Sequence, residues 1–492
     1  MHRFDDAAAR RRGTFLAGAF VVLSAAFTAG CRSVTAPAGA GAAPPFAMTS
    51  EHAAFLDTVQ RRTFDWFWDT TNPRNGLVPD RWPTRSFSSI AAVGFGLTSY
   101  LVGAEHGWIS REQARDRVLV TLRFFWEAPQ GPEATNVTGY RGFFYHFLDM
   151  QSGFRFQQVE LSTIDTGLLL MGVLACRQYF DAATPADSTI RALADSIYFR
   201  VDWAWARDNA ASLSMGWHPE RGFISSRWVG YDEAMLLYAL GLGSPTHPLG
   251  VDAWSAWVGG YRWDTFQGQS YVMFAPLFGH QYSHVWIDFR GIRDAYMRAR
   301  GIDYFENSRR ATLAHRAYAM ANPGGWRGYG DSVWGFTASD GPLDSAFVAA
   351  GRPRQFHTYW ARGAGTDEIN DDGTIAPTAA GGSVPFAPEI AIPALLAMRR
   401  QFGDPLFGRY GFVDAFNPTL GDSALRVSQG RVTPGVGWFD IDHLGIDQGP
   451  ILLMIENYRS DFVWRLMRAN PHIARGLCRA GFTGGWIAGR CG

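Results

Sequence analysis

Carboxylate and histidine side chains stand beside aromatic residues and glycines in six segments of this 492-residue chain. The segments are 145–149, 160–165, 228–233, 280–284, 371–377 and 445–450. Hydrolysis of a glycosidic bond requires two carboxyl groups in different protonation states, one to protonate the leaving oxygen and one to activate water or attack the sugar. The pattern therefore indicates acid–base hydrolysis of a sugar linkage as one chemistry within reach of this chain.

Glu233 opens an apolar run, 234–238. Partial burial at this position would raise the pKa of the carboxyl and keep it protonated, as a general acid requires. A glutamate in the first turn of a helix, stabilised by the helix dipole, gives the same sequence pattern. The sequence leaves both interpretations open.

Asp447 lies at the start of a predicted helix and fits either a catalytic base or an N-cap, and the N-cap is the favoured interpretation. Asp165 is either a capping-box partner of Ser162 or a catalytic group that points into a cleft. Three further carboxylates fit substrate binding or an ordinary surface loop: Asp149, Asp372 and Glu389.

His280 and His284 are four residues apart, a spacing at which two zinc ligands can share a helix face. The glutamate of a His-Glu-x-x-His motif is missing between them, so histidines that line a sugar cleft or pack in the core are favoured over metal ligands. With Tyr282 they are expected to bind substrate, and no metal site is predicted. Five tryptophans next to polar loops are candidates for stacking on sugar rings or for the core: Trp217, Trp228, Trp286, Trp334 and Trp438.

All 45 basic residues are arginine, and the chain contains no lysine. This excludes Schiff-base chemistry, pyridoxal-phosphate catalysis and a lysine-bearing phosphate loop, although the deficit itself is most simply codon bias. The 45 acidic residues bring the net charge to zero, which argues against nucleic-acid binding. No cofactor is implied.

The N-terminus carries three arginines at 10–12, an apolar run from Thr14 to Thr28 and then Cys31 after small residues. This order is typical of a secretory signal over 1–30 and resembles a bacterial lipobox, which would make Cys31 the lipidated residue of a periplasmic or outer-membrane lipoprotein. An Ala-, Gly- and Pro-rich stretch follows and predicts a flexible tether over 31–50.

The remaining cysteines are Cys176, Cys478 and Cys491. Cys176 fits a buried thiol on an apolar helix. Cys478 and Cys491 lie in a predicted Gly/Cys tail over 476–492 and could pair in an oxidising compartment.

Apolar residues recur at helical spacing along most of the chain from 51 to 475. The predicted helices are 52–69, 89–106, 110–126, 161–180, 187–206, 284–299, 303–321, 386–402 and 447–468, with shorter ones at 231–241, 270–278 and 404–410. Ser110 and Gln113 form a capping-box pattern at one helix start. About twelve helices with long loops between them predict an all-α (α/α)6 toroid, in which six inner helices are wrapped by six outer ones around a central cleft.

Several long segments resemble the bacterial glucoamylase-like domain family, which is similar to glycoside hydrolase family 144. The resemblance covers about residues 55–470, and the segments that carry it are 161–166, 243–248, 276–284, 337–342, 385–389, 445–450 and 456–458. It implies an (α/α)6 barrel and an inverting, endo-acting hydrolase that cleaves linear or cyclic β-1,2-glucan into short sophoro-oligosaccharides. It also implies Glu233 as the general acid, and Asp447 is placed on the base side. An exo-acting enzyme on another glucan, a lyase on the same toroid and a carbohydrate-binding lipoprotein without catalysis are the alternatives.

Overall fold

Helices make up most of the regular structure in the described residues, 46–349 and 351–491 of this computed structural model. In chain order these residues form α1 (Ser50–Thr70), α2 (Ile90–Glu105), α3 (Arg111–Glu127), α4 (Thr163–Tyr179), α5 (Pro185–Phe199), α6 (Met235–Gly243), α7 (Asp252–Val258), α8 (Tyr282–Trp286), α9 (Ala295–Arg300), α10 (Tyr304–Ala321), α11 (Pro377–Gly381), α12 (Pro388–Phe402), α13 (Gly445–Ser460), α14 (Phe462–Arg468) and α15 (Pro471–Arg479). Three short 3₁₀ segments add Trp205–Arg207, Leu277–His280 and Gly485–Ile487.

Six helices, α2, α4, α6, α8, α11 and α13, form an inner ring in which almost every residue is buried. A helix that is apolar on all sides is stable only when neighbours cover it completely, which places these helices inside. α2 packs between α13 and α4, and α4 also contacts α6. Ser283 of α8 bonds to Leu236 of α6, Gln281 bonds to Ala379 of α11, and α11 packs on α13, so the ring closes.

Two inner helices, α2 and α4, approach each other at a pair of glycines. A Cβ on Gly172 would lie 2.1 Å from the carbonyl oxygen of Gly94, and a Cβ on Gly94 would lie 2.2 Å from the carbonyl oxygen of Leu168. Only glycine allows the two backbones this close.

The outer helices α1, α3, α5, α10 and α12 are buried along one face only. The predicted ranges 52–69, 89–106, 110–126, 161–180, 303–321 and 386–402 agree with observed helices to within three residues at each end. The capping box at the start of α3 is confirmed, since Ser110 accepts from the Gln113 amide and the Gln113 side chain accepts from the Ser110 amide. The (α/α)6 fold predicted from the sequence is thus confirmed.

Several helix predictions are wrong in extent or type. The predicted helix at 187–206 ends at Phe199, the one at 231–241 is α6, and the one at 447–468 is divided into α13 and α14 by Asp461, whose φ of 59° is left-handed. Range 284–299 holds the end of α8, a loop and α9, whereas 270–278 and 404–410 contain no α-helix. α7, α11 and α15 are not predicted: the five-residue Pro-Thr-Ala-Ala-Gly helix α11 gives no apolar period, and the predicted domain boundary at 475 divides α15.

Short strands lie in the loops between helices. The largest sheet has five strands, Gly139–Tyr140, Phe143–Tyr145, Leu161–Ser162, Gly216–His218 and Gly222–Phe223, and a second has three, Phe416–Asn417, Gly437–Phe439 and Arg431–Thr433. The remaining antiparallel pairs are Arg81–Trp82 with His443–Leu444, Ser88–Ser89 with Phe147–Leu148, Trp263–Phe266 with Gln269–Val272, Ala338–Ser339 with Trp360–Ala361, Ser345–Ala349 with Arg352–Phe356, Gly363–Ala364 with Ile369–Asn370, and Phe407–Gly408 with Gly411–Phe412.

The predicted division between 475 and 476 falls inside α15, and Phe482 and Ile487 beyond it are buried in the core. Cys176 is a buried free thiol, as the sequence predicts, and Cys478 and Cys491, whose pairing the sequence leaves open, form a disulfide. The predicted signal, Cys31 and most of the tether lie outside the described residues. Within the described part of the chain, no helix has both the length and the apolar character to cross a bilayer.

Candidate active site

Side chains at the starts of four inner helices come together at one place. Asp165 is the third residue of α4, Glu233 lies two residues before α6, Tyr282 begins α8, and Asp447 is the third residue of α13. Burial is the main cause of the raised pKa of Tyr282, and the charges of Asp447 and Glu233 add to it. The Tyr282 hydroxyl is therefore near both carboxyl groups.

Short strands fix where these helices begin. Leu161–Ser162 runs directly into α4 and lies between two strands of the five-stranded sheet, and His443–Leu444 runs directly into α13 and pairs with Arg81–Trp82. The loop sheets thereby set the positions of Asp165 and Asp447.

Glu233 is partly exposed, in contrast to its buried neighbour Asp232. Burial of the carboxyl, followed by the charges of Asp232 and Asp165, raises the pKa of Glu233 well above its ordinary value. Because Glu233 precedes α6 and its N-cap, Ala234, the interpretation as a first-turn residue does not hold. The shift is in the direction that a general acid needs.

The main chain at Glu233 is held on both sides. The Ser283 hydroxyl donates to the Glu233 carbonyl oxygen at 2.8 Å and accepts from the Leu236 amide at 2.9 Å. Asp232 accepts from the Ala234 amide at 2.9 Å, and burial raises its pKa to about 7.

His146 bridges two carboxylates beside this group. Its Nδ1 lies 2.6 Å from Glu160 Oε1, and its Nε2 lies 3.4 Å from Asp165 Oδ2. Burial disfavours the charged imidazole, but the charges of Asp165 and Glu160 outweigh it and raise the pKa of His146 to about 9. Burial raises the pKa of Glu160, but the charge of His146 and its hydrogen bond outweigh burial and lower that pKa to about 2. Asp165 also accepts from the Ser162 hydroxyl. It therefore contacts Ser162, as a capping-box partner would, and His146 beside the group around Tyr282, as a cleft residue would.

Asp447 is buried, and neither of its carboxylate oxygens accepts a hydrogen bond from an amide, a hydroxyl or a basic side chain among the described residues. Leu444 is the N-cap of α13, so the favoured N-cap interpretation of Asp447 is wrong. Burial raises its pKa to about 8, while a hydrogen bond with the Asp414 carboxyl opposes the rise. A hydrogen bond between two carboxyl groups requires a proton on one of them, so Asp414 and Asp447 titrate as a pair.

More aspartates surround that pair. Burial is the main cause of the raised pKa of Asp440, and the charges of Asp340, Asp414 and Asp442 raise it further. Arg81 bonds to Asp340 at 2.5 Å and to Asp80 at 3.2 Å. The aspartates around the pair and Arg81 come from segments far apart in the sequence. Among them, Asp340 lies in segment 337–342, which carries the family resemblance, and that resemblance is the one sequence signal for Asp340.

Exposed aromatic side chains border this acidic group. Tyr359 is 38% exposed, and its hydroxyl lies near Asp447 and Asp414. Trp82, also 38% exposed, is paired with His443 on the strands that lead to α13. Exposed rings at the edge of a carboxylate cluster are suited to stack on sugars. Sequence reasoning missed both because they lie in loops without a periodic pattern.

Several residues predicted to bind substrate belong to the core instead. His280, His284 and Trp438 expose no surface, and each is hydrogen-bonded inside: His280 to Phe274, His284 to Ser308 and Trp438 to Gln429. Burial lowers the pKa of His280 to about 4 and that of His284 to about 3. Trp286 and Trp334 are fully buried as well.

Asp372 is also internal. It forms a buried ion pair with Arg362 through both oxygens, at 2.8 and 2.7 Å. Burial works against the charged form, but the Arg362 guanidinium prevails and holds the pKa of Asp372 below its ordinary value. This pair anchors a loop and has no surface for a ligand.

The other predicted residues lie outside the group around Tyr282. Asp149 accepts three bonds within the 149–153 turn, and Glu389 pairs with Arg309 at 2.6 Å on the outer helix α12. Trp228 is buried and donates to Thr163, whereas Trp217 is partly exposed. Of the predicted set, the structure brings Glu233, Asp447, Asp165 and Tyr282 together.

Comparison with known proteins places this arrangement in a family. The family model described as "Putative glucoamylase" matches residues 225–471, which include Glu233, Tyr282 and Asp447. A solved "putative glucoamylase" from Bacteroides uniformis is 31% identical, with a TM-score of 0.75 over 88% of this chain and 98% of that one. The chain belongs to the glucoamylase-like family.

Two relatives are named for an activity on β-1,2-linked glucans. An endo-β-1,2-glucanase from Chitinophaga pinensis, solved with sophorotriose and glucose, is 27% identical with a TM-score of 0.73 and covers 88% of this chain and 99% of that one. An exo β-1,2-glucooligosaccharide sophorohydrolase (non-reducing end) from Parabacteroides distasonis is 28% identical over 88% of this chain. The chain spans 58% of the length of that second relative.

Proposed function

We propose that this protein is a glycoside hydrolase that cleaves β-1,2-glucan with inversion, using Glu233 as the general acid and Asp447 as the general base. The observation that carries the proposal is the position of the Tyr282 hydroxyl near both carboxyl groups. Two carboxyls, one just before α6 and one on α13, thus belong to one site, and burial raises the pKa of both.

The reaction follows from these two groups. Asp447, in its ionised form, accepts a proton from a water molecule as the water oxygen bonds to the anomeric carbon. Glu233 donates its proton to the glycosidic oxygen as the bond from that oxygen to the anomeric carbon breaks. The products are two shorter sugars, and a proton passes back from Asp447 to Glu233 through solvent before the next cycle. Inverting enzymes hold their carboxyls about 6.5–9.5 Å apart so that a water fits between them.

The base must be ionised when water attacks, and the Asp414–Asp447 pair provides for this. Burial and the Asp447 charge raise the pKa of Asp414 well above its ordinary value. With the shared proton on Asp414, Asp447 accepts a hydrogen bond and remains an anion. Asp414 is thus a positioning residue in this scheme.

The β-1,2 linkage is supported by the two relatives whose names specify it, one endo-acting and one exo-acting. We propose endo attack with release of short sophoro-oligosaccharides, since the endo-acting relative is matched along 99% of its chain. Exo attack is the second candidate, favoured by the sophorohydrolase from Parabacteroides distasonis.

The test is incubation with linear and cyclic β-1,2-glucan, β-1,3-glucan and α-1,4-glucan, with product sizes followed over time. Endo action predicts rapid shortening of the β-1,2-glucan through intermediate lengths, and exo action predicts one small product from the start. Binding without new reducing ends would instead identify a carbohydrate-binding protein. Products that absorb in the ultraviolet would identify a lyase.

We also propose that the protein is exported and anchored in the membrane through a lipid on Cys31. The basic, apolar and small-residue order of 10–31 supports this. Mass spectrometry of the protein from its membrane fraction tests it, with Cys31→Ser as the variant that should release the protein in soluble form. If the amount of protein in the membrane fraction were the same for Cys31→Ser as for wild type, the lipid anchor would be contradicted.

A further inference from the structure

Three buried aspartates next to the proposed base lie within reach of one ion. One carboxylate oxygen each from Asp340, Asp440 and Asp442 lies within 4.8 Å of the other two. Asp340 directly follows the strand Ala338–Ser339, and the other two lie between Gly437–Phe439 and His443–Leu444. Two separate loops therefore meet at this point.

Two of these three aspartates, Asp340 and Asp440, each have one buried carboxylate oxygen without a hydrogen-bond donor among the described residues. Asp340 Oδ2 accepts from Arg81, whereas the buried Oδ1 has no donor among the described residues. Asp440 Oδ1 accepts from the amides of Ile441 and Asp442, whereas its Oδ2 is buried with no donor in the same part of the chain. A buried carboxylate oxygen without a donor costs about 1–3 kcal/mol or more, so such oxygens call for a ligand.

The charge of the surroundings also favours a cation. Asp414 and Asp447 lie close to the trio, and Asp414 accepts from the Asp340 amide at 2.7 Å. In the described part of the chain, Arg81 is the only basic side chain that hydrogen-bonds to a carboxylate of these five residues. Because Asp414 and Asp447 share a proton, one guanidinium leaves most of the remaining negative charge of the five carboxyl groups uncompensated.

We propose that Asp340, Asp440 and Asp442 bind a divalent cation, Ca²⁺ in preference to Mg²⁺ or Zn²⁺. Two oxygens bound to one Ca²⁺ at about 2.4 Å each lie up to about 4.8 Å apart, so one such ion can reach an oxygen of all three aspartates. An all-oxygen, carboxylate-rich set suits a hard cation and not zinc, which takes nitrogen and sulfur ligands. Mg²⁺ needs a smaller and more regular octahedron.

The bound ion would join the Asp340 loop to the strand pair that leads into α13. The backbone amide of Asp414 already bonds to the carbonyl oxygen of Asp442 at 2.9 Å, so the same ion would also fix the partner of Asp447. Ca²⁺ binding and its effect on stability are measured without any substrate, so failure of this proposal is distinguishable from failure of the proposed function.

The test begins with the wild-type protein, stripped with EDTA and dialysed. Calorimetric titration with CaCl₂ is expected to show one site, Ca²⁺ is expected to raise Tm by several degrees, and MgCl₂ at equal concentration is expected to have a smaller effect. Tb³⁺ should bind with luminescence sensitised by nearby aromatic residues, and Ca²⁺ should displace it. Absence of Ca²⁺ binding at millimolar concentration would overturn the proposal.

Asp440→Asn removes one ligand oxygen and is expected to weaken Ca²⁺ binding at least tenfold. Asp404→Asn is the matched control, because it makes the same substitution at a side chain that is 94% exposed, whereas Asp440 is buried. Asp442→Asn serves as a second ligand variant if Asp440→Asn does not fold. Wild-type affinity in a folded ligand variant would contradict the site, whatever the activity towards glucan.

Discussion

The hydroxyl of Ser283 donates a 2.8 Å hydrogen bond to the main-chain carbonyl oxygen of Glu233. Ser283 lies on α8, next to Tyr282, whereas Glu233 lies just before α6. The same hydroxyl accepts from the Leu236 amide at 2.9 Å, so one side chain joins two neighbouring inner helices at the proposed general acid. The position of Glu233 relative to Tyr282 thus depends on this serine.

Replacing Ser283 with alanine is expected to lower kcat by roughly tenfold with a smaller change in KM, because small misplacements of a catalytic group act mainly on the chemical step. Ser99→Ala is the control, since the Ser99 hydroxyl donates to the Phe95 carbonyl oxygen within its own inner helix. Steady-state kinetics on β-1,2-glucan with both variants check this. An equal loss in the two variants would show a general effect on stability instead.

Glu233→Gln keeps the size of the side chain but removes the proton to be donated. A general acid contributes about 10²–10⁴-fold, so kcat should fall within that range while the fold and glucan binding persist. Glu389→Gln is the control. It breaks the ion pair between Glu389 of α12 and Arg309 of α10, two outer helices, and should retain activity. Near-wild-type turnover by Glu233→Gln would remove it from the acid role.

His146 should make stability depend on pH in a defined direction. Its pKa is raised to about 9 from an ordinary value of 6.5, so its contribution is fully present below pH 6.5 and is lost as the pH rises through 9. Unfolding of His146→Gln against wild type should show a loss of about 1–3 kcal/mol at pH 6 that shrinks towards pH 10. The exposed His247→Gln is the control for loss of an imidazole at another position, and a difference in stability between His146→Gln and wild type that widens as the pH rises would contradict the ion pairs of His146.

The contact between α2 and α4 predicts a severe effect of a single methyl group. Gly172→Ala would place its Cβ 2.1 Å from the Gly94 carbonyl oxygen, so the two inner helices must separate. We expect a loss of about 3 kcal/mol or more in urea unfolding. Gly330→Ala, where no atom lies within 4 Å of the added carbon, should be nearly neutral, and equal stability of the two variants would contradict the close approach.

The sequence predicts the parts of this structure that depend on local pattern. The Ser110 and Gln113 capping box determines where α3 begins, and the apolar run after Glu233 indicates the partial burial that raises the pKa of this carboxyl. The predicted helix over 284–299 is interrupted by a loop after α8, because Ile287 is extended and Gly291 has a left-handed φ of 71°. Apolar residues continue through that loop, so periodicity alone does not reveal it.

The acidic surroundings of Asp447 are beyond such reasoning. Asp80, Asp340, Asp414 and Asp440 lie in separate loops and meet only when the ring of helices closes. His280 and His284 show the opposite case, since polar residues in a family segment turn out to be hydrogen-bonded inside the core. Burial of an individual polar side chain depends on tertiary packing, which leaves no local pattern in the sequence.

The most direct test of this account is the anomeric configuration of the first product from linear β-1,2-glucan, followed by proton NMR before mutarotation. Inversion by Glu233 and Asp447 predicts that the new reducing end appears as the α-anomer and that Glu233→Gln forms almost none. A β-anomer as first product, or no new reducing end from β-1,2-glucan at all, would contradict the account.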